Sequence, residues 1–200
     1  MVRTGWTIHD LDLFPEPLDD TRYEIIGGEL YVSGQPHYYH QAISGDLGYW
    51  LGAWNHETGA GLVIPAPGII FAEDDAVAPD IVWISGSRLA GVLGSDGKLH
   101  AAPDLVVEVL SPGRSNKQRD FEAKRLLYSR QGVREYWIVD WRLRQVHVYR
   151  RQEQALHLVG TLIEEDTLKS SLLPGFALRL VDLFAHIQPV DELDSENGQA

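Results

Sequence analysis

Apolar and polar positions change period several times along this chain, and the changes mark its elements. Asp104 to Leu110 reads Asp-Leu-Val-Val-Glu-Val-Leu, a short β-branched run that predicts a strand buried on both faces. Ser111-Pro112-Gly113 ends it, and the spacing turns helical, with Phe121, Lys124, Leu127, Tyr128 and Gln131 on one stripe. Ser115 with Gln118 forms a capping box for that helix, and Gly132 supplies its stop. Glu135 to Asp140 follows as a second strand.

The same reading predicts the flanking elements. Thr7 to Phe14 is a short N-capped helix stopped by Pro15 and Pro17. Tyr23-Glu24-Ile25-Ile26, Gly27-Gly28 and Glu29-Leu30-Tyr31-Val32 make a hairpin with a primed two-residue turn. Pro36 to Thr58 is helical, with Ile43, Leu47, Trp50, Leu51 and Trp54 as its apolar face and Gly59 as its stop. Leu62 to Ile64, Gly68 to Phe71 and Val77 to Ile84 are strands, and Arg88 to Leu93 is one or two helical turns. Gln145 to Arg151 and Leu156 to Gly160 pair as a hairpin. Asp166 to Leu183 docks on the core through a Pro174-Gly175 turn. The order gives a mixed α/β (α+β) domain over 1–186 with one central mixed sheet flanked by helices, plus an added N-terminal hairpin and strands. Residues 187–200 read as a disordered acidic tail.

Two charges interrupt this pattern. Glu108 sits mid-strand, where an uncompensated carboxylate costs several kcal/mol, on the order of the desolvation penalty of a buried ion. Lys124 sits among the apolar residues of the helix stripe. Strand alternation puts Glu108 with Val106 and Leu110. Of the two Pro-Asp pairs, Asp104 lies four residues from Glu108, about 13 Å at ~3.3 Å per residue, too far to share an ion. Asp80, on a neighbouring strand at ~4.8 Å spacing, can share one. Two carboxylates and a backbone carbonyl suit Mg²⁺ or Mn²⁺, and a lysine beside metal-bound water can assist attack on a phosphoryl group. Glu24, between Tyr23 and Ile25, is a fourth candidate, as an acceptor for a metal-bound water or a second cation. Each residue also has a plainer reading. Asp80 can cap a strand end, Glu108 can pair with a buried arginine, Lys124 can form an exposed i,i+4 pair with Asp120, and Glu24 can lie on an edge hairpin's surface.

Composition narrows the chemistry. The 200 residues contain no cysteine, which excludes thiolate metal sites and disulfides. No apolar run approaches membrane-spanning length, and a cytoplasmic location is expected. His37 and His40 have no third zinc ligand at a recognisable spacing, and no phosphate-binding glycine loop or Gly-X-Ser-X-Gly elbow is present. A formal net charge of −12 argues against a broad basic face for nucleic acid. A local cluster around the central helix, Arg114, Lys117, Arg119, Lys124, Arg125, Arg130 and Arg134, is the region expected to meet a phosphate backbone.

Several segments together resemble a known family. They are Tyr23 to Leu30, His40-Gln41, Pro79-Asp80-Ile81, Pro103 to Pro112, Asp120 with Lys124 and Tyr128, and Gly132 to Asp140. They look like the bacterial Uma-two family of restriction endonucleases, within the PD-(D/E)XK nuclease superfamily. The resemblance spans Thr7 to Phe184. It implies a restriction-endonuclease-like core and Mg²⁺-dependent hydrolysis of DNA phosphodiesters. It also implies Asp80 and Glu108 as metal ligands, the Val109 carbonyl as a third, and Glu24 as an additional acid. The superfamily's lysine stands two residues after the acid, where this chain has Leu110; Lys124 on the following helix is the position that matches instead. His40, Arg119 and Arg125 are candidate substrate contacts, and related enzymes act as dimers. Two other readings compete. One is a non-catalytic nucleic-acid- or protein-binding module on the same fold, favoured by Leu110 and the −12 charge. The other is a metal-dependent hydrolase of a small phosphorylated substrate.

Overall fold

A computed structural model describes residues 5–11, 13–14, 21–111 and 118–187. Its centre is a six-stranded sheet in the order β10-β9-β8-β7-β6-β3. These strands are β3 (Gly61–Pro65), β6 (Ile81–Ser85), β7 (Leu105–Val109), β8 (Glu135–Asp140), β9 (Gln145–Gln152) and β10 (Ala155–Leu162). The β7–β8 pair is parallel and the others are antiparallel, so the sheet is mixed, as predicted. A parallel neighbour needs a crossover, and the central helix α4 supplies it. That helix runs from a π-helical turn, Arg119–Lys124, into α-helix, Arg125–Gln131, and ends at Gly132 with φ 94°.

Both faces of the sheet are covered, which is why Leu105 to Val109 is buried at every position. Leu105, Val107 and Val109 face one side, with Tyr39, Ile43, Leu47, Leu51 and Trp54 of helix α2 (Tyr38–Thr58). The C-terminal hairpin of β11 (Thr167–Lys169) and β12 (Ala177–Arg179) and the short helix α5 (Leu180–Leu183) complete that layer. Val106 and Leu110 face the other, with Leu127 and Tyr128 of α4. There the cover is a second sheet in the order β2-β1-β5-β4, built from β1 (Arg22–Ile26), β2 (Glu29–Ser33), β4 (Ile69–Ala72) and β5 (Asp75–Val77). Helices α1 (Ile8–Leu11) and α3 (Leu89–Val92) are single turns. No helix among the described residues is long and apolar enough to cross a membrane.

Two expectations are corrected. The strands form three sheets rather than one. The run from Val77 to Ile84 is two strands, β5 and β6, which belong to different sheets. The break falls at Ala78-Pro79-Asp80 and has a local cause. Pro79 has no N–H for a ladder and biases Ala78 away from helical geometry. The Ala78 N–H donates instead to the Glu24 carboxylate at 2.8 Å. The primed hairpin turn is as predicted, with φ 59° at Gly27 and 78° at Gly28. The predicted stops at Pro15 and Pro17, the Ser115 cap and the acidic tail lie outside the described residues.

Candidate active site

The break between β5 and β6 delivers Asp80 to the centre of the molecule. Ile81 pairs with Val107, so continuing that register by one residue sets Asp80 across from Glu108. The ladder stops there, and the Asp80 side chain takes over from the missing strand. Its Oδ2 accepts the Val109 N–H at 2.8 Å. His40, one turn into α2, brings Nε2 to 3.1 Å from the same oxygen, and Arg22 of β1 reaches Oδ1 at 3.1 Å. Burial pushes the Asp80 carboxyl up, but His40, the Val109 N–H and Lys124 outweigh it and hold it below its ordinary value. Asp80 is therefore a fixed anion.

Glu108 stands in contrast. Its Oε1 accepts from Lys124 Nζ at 2.8 Å and from the Tyr128 hydroxyl at 2.9 Å. Burial nonetheless pushes its carboxyl up to about 8; Lys124 pulls it down while Asp120, Asp80 and Glu24 add to the rise. The helix stripe predicted that Lys124 turns inward, and it is 1% exposed. Its ammonium also lies 2.9 Å from Glu24 and 3.8 Å from Asp120. Burial would lower its pKa, but these three acids raise it, so Lys124 stays charged.

The π-helical turn sets what surrounds the lysine. Its i→i+5 bonding widens the turn. Arg119, Asp120 and Lys124 are all buried; Asp120 and Lys124 share a face at i,i+4, and the π turn brings Arg119, five residues before Lys124, onto it as well. Arg119 bonds Asp120 at 3.0 Å and Ser33 at 2.5 Å and lies 3.6 Å from Glu24. Four carboxyl groups (Glu24, Asp80, Glu108, Asp120) thus meet three permanent cations (Arg22, Arg119, Lys124). Ionising Glu108 leaves one excess negative charge, which adds to the burial that already makes that ionisation costly.

These groups line one small cleft, whose walls include Glu24, His40, Asp80, Glu108, Arg119 and Lys124. Ser33, Gly34 and Pro36 form one rim, and Ser111 another. Of the sequence candidates, Arg125 lies outside it, donating to the carbonyls of Phe121 and Leu156. Arg119 is inside but held by its own partners, so it acts first as a brace. His40 is 4% exposed and sits on Asp80 rather than at the rim.

The expected phosphate-binding patch is largely consumed within the molecule. Arg119 and Lys124 are buried, Arg130 bonds Asp75 at 2.6 Å, and Arg134 bonds Asp104 at 3.1 Å. Arg114 and Lys117 lie outside the described residues. Asp104, the Pro-Asp acid set aside on distance, braces a strand crossing. It holds Arg88 at 2.9 Å and the Ser85 N–H at 2.8 Å, besides Arg134.

A divalent ion fits this donor set in a limited way. Among the described residues no group of three or more acids and histidines is arranged to hold a metal. The residues suited to one are Asp80, Glu108 and the Val109 carbonyl, all hard oxygen donors, with water or phosphate supplying the rest of the shell. The excess negative charge of the cluster favours a cation there.

Tyr128, Asp120 and Arg22 are site residues that sequence reasoning left without a role. Tyr128 stands four residues after Lys124 on the predicted stripe, a signal that was available. Arg22 carries none, because its partner is 58 positions away.

No curated protein matches the chain. A crystal structure of a "putative nuclease belonging to DUF820" from Anabaena variabilis superposes with a TM-score of 0.69, covering 90% of this chain and 97% of that one at 21% identity. That identity speaks to the fold. The pattern of the Uma2 family, described as "Putative restriction endonuclease", matches residues 9–181, and the chain belongs to that family.

Proposed function

We propose that the protein is a divalent-metal-dependent endonuclease that hydrolyses DNA phosphodiesters in the Asp80–Glu108 cleft. One observation carries this reading: a buried lysine from the crossover helix, 2.8 Å from Glu108 and 2.9 Å from Glu24, in the cleft that Asp80 also lines. A fully buried ammonium among acids is expensive to build for stability alone, since replacing such pairs by apolar residues is often neutral or stabilising. Family and fold support a nuclease of the restriction-endonuclease type.

Asp80, Glu108 and the Val109 carbonyl would hold Mg²⁺ or Mn²⁺, which would supply a lowered water pKa and charge neutralisation at the phosphate. Val109 N–H and His40 fix the orientation of Asp80. The Tyr128 hydroxyl fixes Glu108. Lys124 places its positive charge where negative charge grows on the phosphoryl oxygens, and Glu24 with Asp120 holds that ammonium in place. Glu24 also secures the Ala78 bend that delivers Asp80.

Nicking of supercoiled plasmid with Mg²⁺ or Mn²⁺ tests the proposal. Glu108→Ala and Lys124→Ala are each expected to lower the rate at least ~100-fold, the scale of losing one preorganised electrostatic group. DNA binding without cleavage under either ion would instead identify a binding module. Turnover of a small phosphoester but not of DNA would identify the small-substrate hydrolase.

A further inference from the structure

The segment that forms one rim of the cleft continues into an aromatic cluster that the chemistry above does not use. His37 caps α2, its Nδ1 accepting the Tyr39 N–H at 3.1 Å. Its ring lies 4.2 Å from that of Tyr38 and stacks on Trp141 at 5.0 Å and 22°. Arg142 sets its guanidinium 5.3 Å from the centre of the Trp141 ring. Trp141 is buried and anchored, its indole N–H donating to the Leu110 carbonyl at 3.0 Å. Tyr38 is 61% exposed.

The placement relates this cluster to the site. His37 is three residues before His40, hence about 5–6 Å away on the helix surface, and His40 touches Asp80. Pro36 and Ser111, which line the cleft, adjoin His37 and Leu110, so the cluster stands at the cleft's edge. Desolvation, with Arg142 and His40 nearby, lowers the His37 pKa, which keeps the imidazole uncharged and suited to stacking. Among the described residues, the cations on and just after the central helix offer little to a phosphate backbone. Arg130 and Arg134 are already held by Asp75 and Asp104. Arg142, by contrast, has no carboxylate partner among the described residues and sits over an indole.

We propose that Tyr38 and His37, backed by Trp141 and Arg142, form a stacking platform for an unpaired nucleobase of DNA, at the edge of the cleft that Asp80 lines. The inference rests on the nuclease reading and names its substrate class: single-stranded or locally unpaired DNA rather than continuous duplex. A duplex keeps its base faces covered and is gripped through its phosphates by free lysines and arginines. A strand with unstacked bases offers ring faces to aromatics, which a stacked duplex does not. The −12 net charge opposes both phosphate backbones, which leaves the base stack to tell the two apart.

Fluorescence anisotropy with an end-labelled single-stranded DNA oligonucleotide and with its blunt duplex, in Ca²⁺, tests the platform. The single strand is expected to bind at least about 10-fold more tightly than the duplex. Tyr38→Ala is expected to weaken the single strand about 10-fold, the scale of one lost base–aromatic stack. Tyr38→Phe is expected to restore it. Tyr38 is exposed, so its truncation leaves the core intact, and circular dichroism checks this. Equal or tighter duplex binding, no binding of either DNA, or unchanged single-strand affinity in Tyr38→Ala overturns the inference. The two readings fail separately. Tyr38-dependent binding with no cleavage in Mg²⁺ or Mn²⁺ keeps the platform and removes the nuclease. Duplex cleavage insensitive to Tyr38→Ala does the reverse.

Discussion

At the scale of residues, the site is an arrangement of charges that constrain one another. Lys124 cannot leave without stripping three acids of their cation, and Glu108 cannot ionise without giving the cluster a net negative charge. The second point has a measurable consequence. The Glu108 carboxyl sits at about 8 in the fold against an ordinary 4.5, so the folded protein binds the extra proton between those values. Its contribution to stability is complete below pH 4.5 and is lost as pH rises toward 8. In chelator, the free energy of unfolding is expected to fall across that window, by no more than ~1.4 kcal/mol per pH unit from this group. Glu108→Gln is expected to abolish that part of the slope; urea titrations from pH 5 to pH 8 measure it. The inward turn of Lys124 was legible in sequence because its neighbours at threes and fours are apolar. The inward turn of Arg119 was not, because it depends on a π-helical turn that no spacing rule predicts.

At the scale of elements, most strands of the central sheet were legible one by one, while their division between sheets and the β11–β12 hairpin were not. Glu108 and its neighbours alternate between two cores as the pattern required. The run from Val77 to Ile84 looked continuous because apolar residues persist through Pro79. Pro79 ends the ladder there, and a carboxylate from β1, 54 positions away, takes the Ala78 N–H that the ladder no longer uses. Side chains that intercept backbone donors over such distances leave no mark on local sequence. Close strand approach leaves one: Gly61 pairs with Ser85, and a Cβ at Gly61 would lie 2.1 Å from the Ile84 carbonyl oxygen. Gly61→Ala is expected to force β3 off β6 and cost ~1–3 kcal/mol, the usual range for overpacking, read as a lowered urea midpoint.

At the scale of the whole molecule, stability and chemistry are assigned to different Pro-Asp pairs. Asp104 is fully buried and ties together Arg88, Arg134 and the Ser85 N–H. Burial raises its pKa, but those partners outweigh it and leave it below the ordinary value. Asp104→Asn is expected to lose ~1–3 kcal/mol, the cost of weakening hydrogen bonds to a buried acceptor whose arginine partners stay partly solvated, while metal-dependent nicking below its melting temperature persists. Asp80→Asn is expected to lose nicking. Thermal melts and plasmid assays on the two variants measure the separation. The family resemblance was legible because its motifs fall on these same bends and strand ends. The inward pairing of the basic cluster was not, since net charge and residue counts say nothing about which cations already have acids beside them.

Asp80 does two jobs at once, since the carboxylate proposed to hold a cation also terminates β7 by accepting the Val109 N–H. A lineage that abandoned cleavage would still be selected to retain an acceptor there, because a sheet end left open weakens the whole domain. Lys124 has no such backbone duty. Among descendants that drift away from hydrolysis, the lysine is therefore expected to change only together with the acids it neutralises, and the aspartate last.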